Sequence, residues 1–192
     1  MRNRIPATDL YGACVHRVHP VHAVHIFKTR KTHRMTEQWE TDLQIHGAER
    51  EEILQKVHQQ VRGWGLALPD VEPLVIHFGL HDFWDTGLTE FWIANEQPAG
   101  YCGKFLFVFD GQTCPAHRHE TKHETFFVVK GEVEMQTDRT RIMQAGDRLV
   151  MPPGVQHSFT GRGNALLLEI SMPSTLDDNF FDNPAIGKDG VI

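Results

Sequence analysis

Across residues 48–62 the apolar side chains Ile53, Leu54, Val57 and Val61 recur at helical intervals on a background of Glu, Gln, Arg and Lys. That spacing lays one apolar stripe along a helix, and Gly63 follows where a C-cap would stand. It predicts a single amphipathic helix, suited to covering a barrel mouth or a subunit surface rather than to chemistry. Residues 64–96 change texture: Trp64, Phe78, Phe83, Trp84, Phe91 and Trp92 are punctuated by Pro69, Pro73, Gly79 and Gly87, which reads as loops and short strands. From Tyr101 onward short runs at 104–109, 125–129, 132–136, 148–151 and 165–171 alternate with Asp110-Gly111, Lys130-Gly131, Ala145-Gly146-Asp147 and Pro152-Pro153-Gly154. Short strands joined by glycine turns at this spacing predict an all-β sandwich or barrel.

Length and charge bound the picture. A chain of 192 residues holds one well-buried domain with an extension. With 40% hydrophobic residues, 23% charged residues and a net charge of -6, it has no electrostatic reason to seek nucleic acid or an acidic membrane, which leaves a small polar substrate open. Cys14, Cys102 and Cys114 are too few and too uneven for a disulfide framework, and point to a reducing cytoplasm. No apolar run approaches the ~18 residues of a membrane span. Residues 1–34 stand apart, with seven Lys or Arg against the single acid Asp9. His16, His19, His22 and His25 recur there every third residue, but Pro20 interrupts any helix that could stack them and no acid or cysteine completes a coordination sphere. The segment reads as disordered or incidental. Ordinary globular patterning sets in within a few residues of Met35, which is expected to be the biological start.

The candidate chemistry lies in the β region. It contains Gly111-x5-His117-x-His119-x4-Glu124-x6-Gly131 and, further on, Gly146-x5-Pro152-x-Gly154-x2-His157. His117 and His119 are two apart, so in an extended strand both point to one face. Glu124 can enter from the adjoining strand, and His157 arrives from a distant strand after the Pro152-Pro153-Gly154 turn. Three imidazoles and one carboxylate form a borderline nitrogen and oxygen set, suited to Mn, Fe, Ni, Co or Zn with positions left for water or substrate. A barrel interior gives no other reason to gather ionisable groups that are costly to bury unpaired.

These two motifs resemble the signatures of the cupin superfamily, and residues 101–171 are similar to a single cupin (jelly-roll) β-barrel carrying an N-terminal helical extension. One departure is Gly161, where the second motif often has Asn; the position is not a ligand. The resemblance implies residues 35–100 packing on a barrel of residues 101–192, and a homodimer. A closer resemblance, to D-lyxose ketol-isomerases, rests on residues 111–119 (GQTCPAHRH), on Lys122-His123-Glu124-Thr125-Phe126, and on the segments 65–69 and 78–83. It extends downstream to Glu169-Ile170-Ser171, Asp177-Asp178-Asn179 and Asp182-Asn183.

That family implies aldose–ketose isomerisation through an enediol, with a divalent metal, manganese ahead of iron, zinc, cobalt or nickel, held by His117, His119, Glu124 and His157. Such a reaction needs a base, an acid and an electrophile. Glu169 is the candidate base, because a carboxylate in the apolar run 165–170 is hard to explain structurally except by an ion pair with a nearby arginine. If the strand alternates, Leu167, Glu169 and Ser171 share a face. Lys122 is the candidate acid and Lys104 a second one, each weighed against an ammonium reaching out to the barrel rim. The acids Asp177, Asp178 and Asp182 read as a solvated tail. Two other readings remain: an iron-dependent cupin dioxygenase with the same ligand set, which needs no acid and base beside the metal, and a noncatalytic sugar-binding cupin, for which Glu169 would face outward.

Overall fold

The computed structural model describes residues 43–192; the segment 1–34, its histidines and the expected start at Met35 lie outside the described residues. The apolar stripe forms helix α1 (Gly47–Gly63), with Ile53, Leu54, Val57 and Val61 buried. Gly63 is the last helical residue and Trp64 follows as the cap. Gly65, at φ 74°, takes the left-handed position; its N–H donates to the Arg62 carbonyl at 2.9 Å and that of Leu66 to the Val61 carbonyl at 3.1 Å. This paired closure satisfies two terminal carbonyls and folds Leu66 back beside Val61 in one apolar cluster, so the capping glycine is Gly65 rather than the expected Gly63.

Among the described residues eleven strands follow: β1 (Leu74–Ile76), β2 (Leu88–Glu96), β3 (Tyr101–Val108), β4 (Thr113–Arg118), β5 (Glu124–Lys130), β6 (Glu132–Gln136), β7 (Thr140–Gln144), β8 (Arg148–Met151), β9 (His157–Gly161), β10 (Ala165–Ser171) and β11 (Phe180–Phe181). They form two antiparallel sheets, ordered β1-β2-β3-β10-β5-β8 and β11-β4-β9-β6-β7. Inward side chains of both, among them Leu106, Phe126, Met135, Phe159 and Leu167, share one core. This is the all-β, jelly-roll arrangement that the strand spacing and the resemblance led us to expect. Helix α1 packs on the outer face of the six-stranded sheet, against Phe91, Phe107 and Leu166.

Two features of this layering position the site. On β10, Leu166 lies under α1 while Leu167 joins the inner core, so Leu167, Glu169 and Ser171 face the barrel interior, as alternation requires. Strand β2 runs nine residues through the stretch expected to hold only loops and short strands. Its first four residues, Leu88, Thr89, Glu90 and Phe91, are all buried, because the helix covers one face and the core the other. A strand buried on both faces shows no alternation for a sequence reading to find. Gly161 ends β9 where the Phe109 carbonyl lies too close to admit a Cβ, which accounts for glycine at a position where the motif often has asparagine.

Candidate metal centre

Strand β4 ends on the two-residue step that turns His117 and His119 inward. His157, the first residue of β9, is the register partner of His117, and their rings lie 4.3 Å apart between centroids. Glu124 opens β5, which belongs to the six-stranded sheet. It therefore enters from the facing sheet and not from a strand beside β4 as expected: residues 120–123 cross between the sheets, and the neighbours of β4 are β9 and β11.

All four residues are buried. One nitrogen of each of the three histidines falls within a group spanning at most 4.8 Å. The Nδ1 atoms are otherwise engaged, with the carbonyls of Pro115 at 2.8 Å, Asp178 at 2.6 Å and Val155 at 3.1 Å for His117, His119 and His157 respectively. A carbonyl can only accept, so each Nδ1 carries the proton and each Nε2 presents its lone pair. Burial pushes the His117 and His157 pKa values down; at His117 the neighbouring rings of His157 and His119 add to the effect. These imidazoles are neutral, the form that ligates metals.

Glu124 stands with Oε1 3.3 Å from His119 Nε2 and Oε2 3.4 Å from His157 Nε2. Burial raises the Glu124 pKa, and the Lys122 ammonium, 2.7 Å from Oε1, works against it. His119 Nε2, His157 Nε2 and Glu124 Oε2 are buried without a hydrogen-bond partner among the described residues. Converging lone pairs with no donor between them are costly in a dry interior. A divalent cation fits this donor set, with three imidazoles and the Glu124 carboxylate beside them to hold it.

A chain of charges runs from this cluster across the barrel. Lys122 Nζ lies 2.7 Å from Glu124 Oε1 and 3.4 Å from Glu169 Oε1. Lys104 Nζ lies 3.4 Å from Glu169 Oε2 and 2.9 Å from Glu90 Oε1. Ser171 Oγ donates to Glu169 Oε1 at 3.0 Å, and Trp92 Nε1 donates to Glu90 Oε2 at 2.8 Å. Glu169 is 2% exposed, and Lys122 and Lys104 are 4% and 7% exposed, so neither lysine reaches out to the rim, and Glu169 pairs with lysines rather than an arginine. At Lys104 burial works against the charge, but Glu169 and Glu90 outweigh it and raise the pKa well above the ordinary value.

Three further residues shape the site. Glu90 is not among the candidates read from the sequence, yet it carries the same signal as Glu169, a carboxylate inside an apolar run. Asp178 does not lie in a solvated tail: it is buried. Its carboxylate accepts from the backbone N–H groups of Glu120, Thr121 and Lys122 at 2.8, 3.1 and 3.0 Å and from the Thr121 hydroxyl at 2.7 Å. Burial would raise its pKa; these donors lower it. Phe181, on β11, stacks on the His117 ring at 5.1 Å between centroids and touches Phe78 at 5.6 Å. The charge chain, His117, His119 and these two rings line one cavity.

Comparison with known proteins agrees with this layout. Residues 106–171 match the cupin domain model, and the chain carries a cupin domain there. It is 27% identical over 169 residues to the D-lyxose/D-mannose isomerase of Thermosediminibacter oceani, covering 71% of this chain and 92% of that protein. It is also 27% identical over 180 residues to the D-lyxose ketol-isomerase of Cohnella laeviribosi, covering 77% and 98%. Among solved structures, the L-ribose isomerase of Acinetobacter sp. DL28 in complex with L-ribose superposes with a TM-score of 0.62 at 17% identity, over 75% of this chain and 95% of that one; at that identity the likeness is one of fold.

Proposed function

From a cupin domain in a chain similar over most of its length to D-lyxose isomerases, we propose that this protein is a metal-dependent aldose–ketose isomerase acting on a small sugar of the D-lyxose/D-xylulose type. The observation that carries the reading is Glu169, a buried carboxylate beside the histidine cluster with an ammonium group on each of its oxygens. His117, His119, Glu124 and His157 are the proposed ligands of a divalent cation, manganese by our reading. Bound there, it supplies Lewis-acid polarisation of the sugar oxygens and compensates developing negative charge.

Glu169, as carboxylate, takes the proton from C2 of the aldose while the Lys122 ammonium gives one to O1, leaving an enediol. Lys122 then takes the O2 proton as Glu169 returns its own to C1, and the ketose is formed with both residues restored. Ser171, through its bond to Oε1, turns the Glu169 carboxylate toward the cavity. Phe181 and Phe78 form an apolar wall that limits water at the reacting carbons. The inward direction of Glu169 supports this reading over a noncatalytic sugar-binding cupin, and the paired acid and base support it over a dioxygenase.

Among the described residues no helix is long and apolar enough to cross a membrane. Cys102 and Cys114 are free thiols, which supports a cytoplasmic setting. The outer face of the six-stranded sheet exposes Phe127, Val150 and Ile170 on adjacent strands, which supports a homodimer.

The test is to supply the Mn-loaded protein with D-lyxose and related free and phosphorylated sugars in deuterated water. Ketose with deuterium on carbon is expected. No turnover and no exchange on any of them would overturn the proposal.

A further inference from the structure

Each ammonium beside Glu169 has a nearer carboxylate of its own. Lys122 is 2.7 Å from Glu124 and 3.4 Å from Glu169; Lys104 is 2.9 Å from Glu90 and 3.4 Å from Glu169. Charge-assisted N–H···O bonds close to about 2.7–2.9 Å when nothing holds them apart, so both contacts to Glu169 are long ones. On the Lys122 side the nearer acid is a proposed metal ligand and has its own reason to be there. On the Lys104 side it is Glu90, which pairs with Lys104 and is not among the proposed ligands.

Glu90 is buried, and its two oxygens are assigned separate tasks. Oε1 takes Lys104 Nζ, and Oε2 takes the indole N–H of Trp92. Lys104 Nζ also lies 4.8 Å from the centroid of the Trp92 ring, within cation–π range. Trp92 and Lys104 are register partners across β2 and β3, and Lys104 and Glu169 across β3 and β10. The ammonium thus sits in a rigid three-strand row with an acid on one side, a ring face beside it and the proposed base on the other.

We propose that Glu90, oriented by Trp92, is a positioning residue that holds the Lys104 ammonium back from Glu169 and so keeps Glu169 free to take a carbon-bound proton. The proposal rests on the isomerase reading above. Without the Glu90 charge, Lys104 has one carboxylate left to pair with and closes on Glu169. A base locked in a tight buried ion pair must break it before it can act, and the cost falls on the proton-transfer step rather than on sugar binding.

The experiment uses the full-length Mn-loaded protein and its Glu90→Gln, Trp92→Phe and Glu90→Gln/Lys104→Gln variants. For Glu90→Gln, kcat is expected to fall about 10- to 100-fold, part of the worth of a general base, with KM within about threefold of wild type. Its crystal structure should show Lys104 Nζ within about 2.9 Å of Glu169. Trp92→Phe, which keeps the ring and removes the N–H, should shift kcat in the same direction by less. The double variant, lacking the lysine that closes on Glu169, should recover part of the lost kcat. If Glu90 only stabilises the fold, Glu90→Gln lowers the melting temperature with kcat per folded site unchanged, or the double variant is worse than the single one; either result overturns the proposal. If Glu90→Gln does not fold, Trp92→Phe decides alone through the same kcat and KM measurements. A wild-type protein that turns over no sugar refutes the isomerase reading itself, and the position of Lys104 in Glu90→Gln still decides whether Glu90 holds it away.

Discussion

Asp178→Asn tests the bracket that holds the loop between the two sheets. The wild-type carboxylate accepts four hydrogen bonds, from three amides and one hydroxyl of residues 120–122. Asparagine keeps one accepting oxygen and puts an NH2 group at the other position. The amide settles with its oxygen toward the Glu120 and Thr121 amides, because the Thr121 hydroxyl can reverse and accept while a backbone N–H cannot. The Lys122 N–H is then left facing a donor, a loss of about 1–2 kcal/mol, and the two retained amide bonds drop from charged to neutral acceptors, at roughly 0.5 kcal/mol each. The expected destabilisation is about 2–3 kcal/mol, the sum of those terms.

The assay is urea unfolding of wild type and variant after chelation, with the shift in midpoint at constant slope giving the difference. Metal affinity should also fall, by about 10-fold or more, because the loop leads into Glu124 and the Asp178 carbonyl orients His119. A stability change below about 0.5 kcal/mol, the size of an ordinary surface substitution, would refute the bracket.

Two further outcomes follow from the histidine cluster. Chelation should lower the melting temperature and Mn2+ should restore it, by about 2.7 kcal/mol at a free metal concentration 100 times Kd; a melting temperature indifferent to metal would contradict the ligand assignment. In the metal-free protein, His117 and His157 have pKa values pushed below the ordinary 6.5, so the unfolded chain binds protons that the native one resists. Their contribution is complete above pH 6.5 and is lost as pH falls below it, which urea midpoints at pH 7.5, 6.5 and 5.5 would read as a decline; a flat profile contradicts it.

What could be read from the sequence follows from what each residue depends on. His117 and His119 depend on a local period of two, and His157 on a turn just before it, so spacing alone gathers them. Glu169 stands out because its neighbours 165–168 are apolar. Glu90 has the same signature, but its strand is buried on both faces and hidden among aromatics, and Lys104 lies on the next strand, a pairing that only the sheet register reveals. Asp178 takes its meaning from donors 56–58 residues away; locally it is one acid among several. Spacing does not say which sheet carries Glu124, because four intervening residues serve a hairpin or a crossover equally well. The capping glycine is Gly65 rather than Gly63 because the left-handed turn is set by where Leu66 must pack, not by which glycine comes first.

The central claim is that Glu169 moves the carbon-bound proton. Its most direct test is the Glu169→Gln variant, assayed for bound metal and for deuterium exchange into sugar in the same preparation. The account predicts metal content equal to wild type with exchange and isomerisation reduced by about 10²-fold or more. Undiminished exchange in a metal-replete variant would contradict it.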